Sequence, residues 1–214
     1  MKKIMLPILF TVLFQIIAAS EPSSNLEKGW LRIYVKDFGH FDLPPTLDVQ
    51  KAKYKTFLDK DKGISGYDTN SFVAQEKKSS SGKSINNNPA KIILETTISS
   101  DGEYSKLNSN FNGISQRQIE DLNKSCRKAI MSNPANGTVT EWYPMKIENV
   151  NGMSCMHYSY KRHFKNQPTE IVHHYGFHNN DRIHDLEISY VASEIKWKND
   201  FAKFLDSFTI TNIK

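Results

Sequence analysis

The chain has 214 residues, with 28 Lys+Arg against 23 Asp+Glu, a formal charge of +5 and a sequence pI near 9.0. The basic excess is mild and scattered. The densest basic run, "KAKYKTFLDKDK" from Lys51, is interrupted by Asp59 and Asp61 and reads as a solvated face. A nucleic-acid groove, which gathers its cations on one surface, is therefore excluded from the expected partners.

The first residues, "MKKIMLPILFTVLFQIIAAS", place Lys2 and Lys3 before an apolar run that ends in Ala18-Ala19-Ser20. This is the pattern of a secretory signal peptide over residues 1–20, and the apolar run is short for a membrane span. No cysteine lies near the cut, so a lipoprotein is not expected. The mature chain should be secreted or periplasmic, with no transmembrane segment. Its charge is 26 − 23 = +3, because the signal holds two of the basic residues and none of the acidic ones. Residues 21–28 form a polar leader, and residues 29–214 are of a length that suits one domain.

"WLRIYV" predicts a strand, and "HFDLPPTLDVQ" an extended segment punctuated by Pro44-Pro45. Tyr54, Phe57 and Leu58 have the spacing of a short helix. "SFVAQEK" and "AKIILETTIS" read as strands, joined by the polar connection Gln75 to Pro89. A second polar stretch, Ser99 to Gly113, could with the first shape a partner surface or be a solvated excursion. Ser115 and Gln118 then form a capping box. It opens a helix whose stripe is Ile119, Leu122, Cys126, Ala129 and Ile130. The helix should end before Asn133-Pro134, and "TVTEWYPMKIENV" is a strand broken at Pro144. Asn123 and Asn136 each match a glycosylation acceptor.

A three-strand meander follows: "MSCMHYSYKRHF", "TEIVHHYGFH" and "DRIHDLEISYVA", with a tight turn expected at Asn179-Asn180. A closing helix has Ser193 as its expected N-cap and Ile195, Trp197, Phe201, Phe204, Leu205 and Phe208 as its inner face.

The meander carries the chemistry-bearing side chains, and strand parity assigns their faces. Treating residues 165–168 as a symmetric loop aligns Ser159 with His174, and a two-residue turn adds Asp185 to the row. That gives a candidate hydrolase set, Ser159, His174 and Asp185, although mid-strand Ser159 lacks the exposed sharp turn a serine nucleophile needs. His157, His163, His174 and His178 fall on the same face in this register. Of these, His157, His174 and His178 are the candidate ligand or metal site. Tyr158, Tyr160, His173, Tyr175 and His184 fall on the opposite, aromatic face, as core residues. Cys126 and Cys155 are either a disulfide, which the oxidising compartment permits, or two buried thiols.

The segment "DLEISYVASEIKWKNDFAKFLDSFTI" resembles the closing strand–helix unit of the PsbP-like superfamily, and "LPPTLDVQ" is similar to an early segment of it. The resemblance implies an α+β fold in which helices sandwich an antiparallel sheet. It also implies an accessory or binding role, with no catalytic set to carry over and no cofactor. The leading expectation is an exported, non-enzymatic binding domain of a bacterial envelope, its partner an envelope protein or small ligand. A metal- or ligand-binding protein and a hydrolase are the alternatives.

Overall fold

The computed structural model describes residues 26–50, 67–77, 90–99, 114–179 and 181–211. The signal peptide, most of the polar leader, the helix expected around Tyr54, both polar connections and Asn180 lie outside these residues. Every strand expected within them is present. Strand β1 (Leu31–Val35) pairs with β2 (Gly39–Leu43), and β3 (Leu47–Val49) follows Pro44-Pro45. Then come β4 (Tyr67–Glu76), β5 (Lys91–Ser99), helix α1 (Gln116–Ser132) and β6 (Thr138–Val150). The meander is β7 (Met153–His163), β8 (Glu170–Asn179) and β9 (Arg182–Val191). Helix α2 (Ile195–Ser207) and a short β10 (Thr209–Ile210) close it.

The strands form two antiparallel sheets, a seven-stranded one in the order β3-β4-β5-β9-β8-β7-β6 and a three-stranded one, β1-β2-β10. The fold is thus α+β, as expected. Among the described residues no helix is long and apolar enough to cross a membrane.

The core lies between the large sheet, α2 and the small sheet. From the large sheet it takes Ile92, Leu94, Tyr175, Phe177, Leu186 and Ile188, residues that share one face by register. Phe208 joins the layers, its ring 4.8 Å from Phe38, 5.2 Å from Phe177 and 5.7 Å from Phe204. Such offset aromatic contacts add to the area each ring buries.

Helix α1 begins as the sequence requires. Gln118 N donates to Ser115 Oγ at 3.3 Å, and Ser115 N donates back to Gln118 Oε1 at 2.8 Å. Its inner stripe differs from the expected one by a step. Ile119, Asn123, Cys126 and Ile130 are half-buried, while Leu122 is 41% exposed. The N-cap of helix α2 is Glu194 rather than Ser193, with no side-chain cap, and Ile195 is solvent-exposed; Trp197, Phe201 and Phe204 are its buried face.

Candidate functional site

The register of the meander decides which side chains meet. Between β8 and β9, Tyr175 pairs with Leu186 and His173 with Ile188, two positions from the expected partners, so every residue keeps its face. Between β7 and β8 the pairing is Ser159 with His173 and Tyr158 with His174, a slip of one. A slip of one turns a whole strand over. Its cause is the loop. Gln167 N donates to Phe164 O at 3.0 Å, Asn166 takes a left-handed φ of 62°, and Pro168-Thr169 adds residues on the exit side only. Seven residues therefore separate the paired Arg162 and Glu170, an odd number that a symmetric loop about residues 166 and 167 cannot give.

The faces are consequently not those expected for β7. Ser159, Cys155 and His157 lie on the α2 side of the sheet, while His174, His178 and Asp185 lie on the α1 side. Ser159 is 5% exposed and separated by the sheet from the other two members of the hydrolase set. His157 is likewise parted from His174 and His178. Among the described residues no three His, Cys, Asp or Glu side chains group so as to hold a metal ion. Cys155 is fully buried in the core, and Cys126 sits on α1 across the sheet from it; both are free thiols. In this placement the two thiols are not bonded to one another. Burial pushes the Cys155 thiol up to about 12, which leaves it inert.

On the α2 side a polar chain crosses three strands. His157 Nδ1 lies 2.7 Å from Glu148 Oε2 on β6, and His157 Nε2 lies 3.1 Å from His173 Nδ1 on β8. Tyr175 stacks on His157 at 4.2 Å, nearly parallel. Burial lowers the pKa of His157 against the pull of Glu148, and lowers that of His173 to about 4. Both rings are neutral at pH 7, so the chain positions imidazoles rather than charges. His184, also on this side, is fully buried and hydrogen-bonded, as expected of a core histidine.

On the α1 side, Trp142, Tyr158, Tyr160 and His174 form an array of stacked, nearly parallel rings across β6, β7 and β8, with centroid separations between 4.8 and 5.8 Å. Pro144 and a β-bulge between Tyr143 and Lys146 leave the Met145 N–H without a ladder partner. Asn123 supplies one: its Oδ1 accepts from Met145 N at 2.9 Å and from Trp142 Nε1 at 3.0 Å. This pair of bonds fastens α1 over the β6 end of the face. Its residue also accounts for the shifted stripe, since Asn123 and not Leu122 faces the sheet.

Toward β9 and β5 the same face is polar. Glu187 lies 3.4 Å from Lys91 Nζ and 3.8 Å from His174 Nε2, and burial lowers the His174 pKa. Asp185 pairs across β9–β5 with Glu95 and across β9–β8 with Gly176, where a Cβ would meet its carboxylate at 3.6 Å, an ordinary contact distance. The surrounding strands limit its hydration and Glu95 repels it, so its carboxyl is raised. It is nevertheless solvent-exposed, which screens the effect. At the β7–β8 end Arg162 and Glu170 form a buried ion pair at 2.9 Å.

Sequence reasoning passed over Glu148 and Glu187, and marked Asn123 only as a glycosylation acceptor. The alternating "MKIENV" run carried the signal for Glu148, and Pro144 the signal that some side chain must satisfy Met145 N. The arrangement holds carboxylates, imidazoles and aromatic rings in a fixed polar surface, and the sheet parts Ser159 from His174 and Asp185.

A sheet with one side closed by a helix and a core, and the other polar and only partly roofed, makes up an α+β domain. No family model and no curated protein matches the chain. It is similar to a crystal structure of a protein from Bacteroides thetaiotaomicron, at 6% identity and a TM-score of 0.45, over 85% of this chain and 48% of that one. This chain thus spans about half of that protein's length. It is also similar to the solution structure of cyanobacterial PsbP (CyanoP) from Synechocystis, at 10% identity and a TM-score of 0.47, over 90% of this chain and 99% of that one. Likeness at these scores concerns the arrangement of elements and carries nothing about ligand or activity.

Proposed function

We propose that the protein is an exported, non-enzymatic accessory domain of a bacterial envelope that binds a protein partner through the α1 side of its large sheet. The observation that carries this is the half-roofed polar face. Helix α1 packs chiefly on β6, and toward β5 and β9 on this side Lys91, Glu95 and Glu187 are half-buried and Asp185 is exposed. A sheet face that served only to build a core would be apolar and covered. A fixed, charged surface suits recognition, where complementary charge gives specificity. Export is supported by the pattern of residues 1–20, and the accessory role by the sheet that parts Ser159 from His174 and Asp185.

The test is site-specific photocrosslinking in the host envelope, with benzoylphenylalanine in place of Asp185 or, as control, of the exposed Lys198 on α2. A protein adduct formed from position 185 and not from 198 supports the reading. Adducts from both positions or from neither refute it, as does a native mass spectrum showing a stoichiometric metal or small molecule in place of a protein partner.

A further inference from the structure

Strand β10 is held by little backbone: it pairs with β2 through Thr209 opposite His40 and Ile210 opposite Gly39, and Thr211 N donates to Phe38 O at 2.7 Å. A side-chain relay supplements this. Thr211 O is a carbonyl and can only accept, so the group 3.0 Å from it on Asn179 is the amide nitrogen. That same nitrogen lies 3.3 Å from His184 Nε2, which must then present its lone pair. The imidazole proton is thereby fixed on Nδ1, and it is donated to Thr96 Oγ1 at 2.9 Å. The tautomer thus follows from a carbonyl two bonds away.

We propose that the chain Thr96–His184–Asn179–Thr211 is a proton-operated latch on the C-terminal strand: a second proton on His184 releases β10 and uncovers the edge of β2. With Nε2 protonated, two donors face each other, and Asn179 relieves the clash only by turning its amide. The turn places Oδ1 against Thr211 O, so the bond that held β10 becomes a repulsion between two acceptors.

The charged groups around His184 oppose its protonation. Arg182 on β9 repels it; Asp181, which bonds Arg182 at 2.7 and 3.0 Å, and Asp37 in the β1–β2 turn, 3.6 Å from Arg182, soften this. From β5 the Thr96 hydroxyl faces the ring, and Phe38 meets it edge-on at 5.0 Å. Burial, with Arg182 second, holds the imidazole down to about 4, so the latch is closed at neutral pH and opens in strong acid. Once β10 leaves, Gly39 and His40 present unpaired backbone groups, the kind of edge that accepts an extended segment.

The experiment uses the full chain. Amide hydrogen exchange, corrected for intrinsic rates, is followed by NMR from pH 7 to pH 3. Protection of the Thr211 amide is expected to fall with a midpoint near pH 4 and at least tenfold further than that of Leu186 in β9, which follows only the global stability. Equal loss at both amides, or none at Thr211, overturns the proposal. His40, opposite Thr209, is the competing titrating group. His40→Gln is expected to retain the profile, and a profile abolished in that variant also overturns the proposal. Asn179→Ala is expected to leave Thr211 weakly protected at every pH. The nitrogen shifts of His184 provide a check independent of any variant: Nε2 found protonated at pH 7 is incompatible with the latch.

Discussion

Replacing Asn123 by Ala isolates the contact that holds α1 to the sheet. The substitution removes one oxygen and strands two donors, Met145 N, in a residue 9% exposed, and the half-buried Trp142 Nε1. Each unmade buried bond costs about 1–3 kcal/mol, the lower end applying to the half-buried indole. Ala gains back about 0.5 kcal/mol of helix propensity over Asn. The net loss expected is about 2 kcal/mol, roughly a thirtyfold shift in the folding equilibrium. With a urea slope of about 2 kcal/mol/M, the midpoint should fall by about 1 M at unchanged slope. Asn123→Asp keeps an acceptor oxygen and should lose about 0.5 kcal/mol or less. Leu122→Ala, at a position open to solvent, should lose under about 1 kcal/mol. Equal losses for Ala and Asp at position 123, or a larger loss at Leu122, would show that α1 is held by its apolar stripe and not by Asn123.

Other expectations concern the ion pair, the imidazoles, the thiols and one glycine. Arg162→Met should destabilise by about 3–5 kcal/mol by leaving Glu170 buried and unpaired, and adding Glu170→Leu should recover most of it in a thermal-melt cycle. His173 and His184 have folded pKa values near 4 against 6.5 in the unfolded chain, so between these values the unfolded state binds more protons. Stability measured by urea titration should be full above pH 6.5 and decline toward pH 4, by about 3 kcal/mol for fully buried His184 and less for half-buried His173. Under native conditions iodoacetamide should label Cys126 slowly and Cys155 not at all, and mild oxidation should produce no intramolecular crosslink. Gly39→Ala should detach β10, seen as lost protection at Thr211, because φ is 150° there and a Cβ would stand 2.0 Å from Thr209 O.

The elements were legible because each is a local matter: alternation for the strands, Ser115 and Gln118 for the start of α1, Pro134 for its end. The β8–β9 faces were legible too, since the pairing differs from the expected one by an even step. What could not be read was the β7–β8 parity. It depends on the conformation of Asn166 and on where Pro168 lets pairing resume, and neither is written in the polarity of the loop. That one-residue difference moved His157 and Ser159 away from His174. The phase of α1 was hidden for a related reason: a stripe of apolar letters favours Leu122, but an unsatisfied backbone donor beside Pro144 outweighs a leucine that can remain in water.

The irregularity of β6 bears on how the protein keeps to itself at high concentration. It is the outer strand of the large sheet at one rim, and its ladder is interrupted twice, between Val139 and Glu141 and between Tyr143 and Lys146, with Pro144 lacking an N–H. The opposite rim, β3, has three residues. Among the described residues, the interruptions of β6 and the shortness of β3 deny a second copy a long unbroken row to extend along either of these strands, which disfavours sheet-to-sheet growth there.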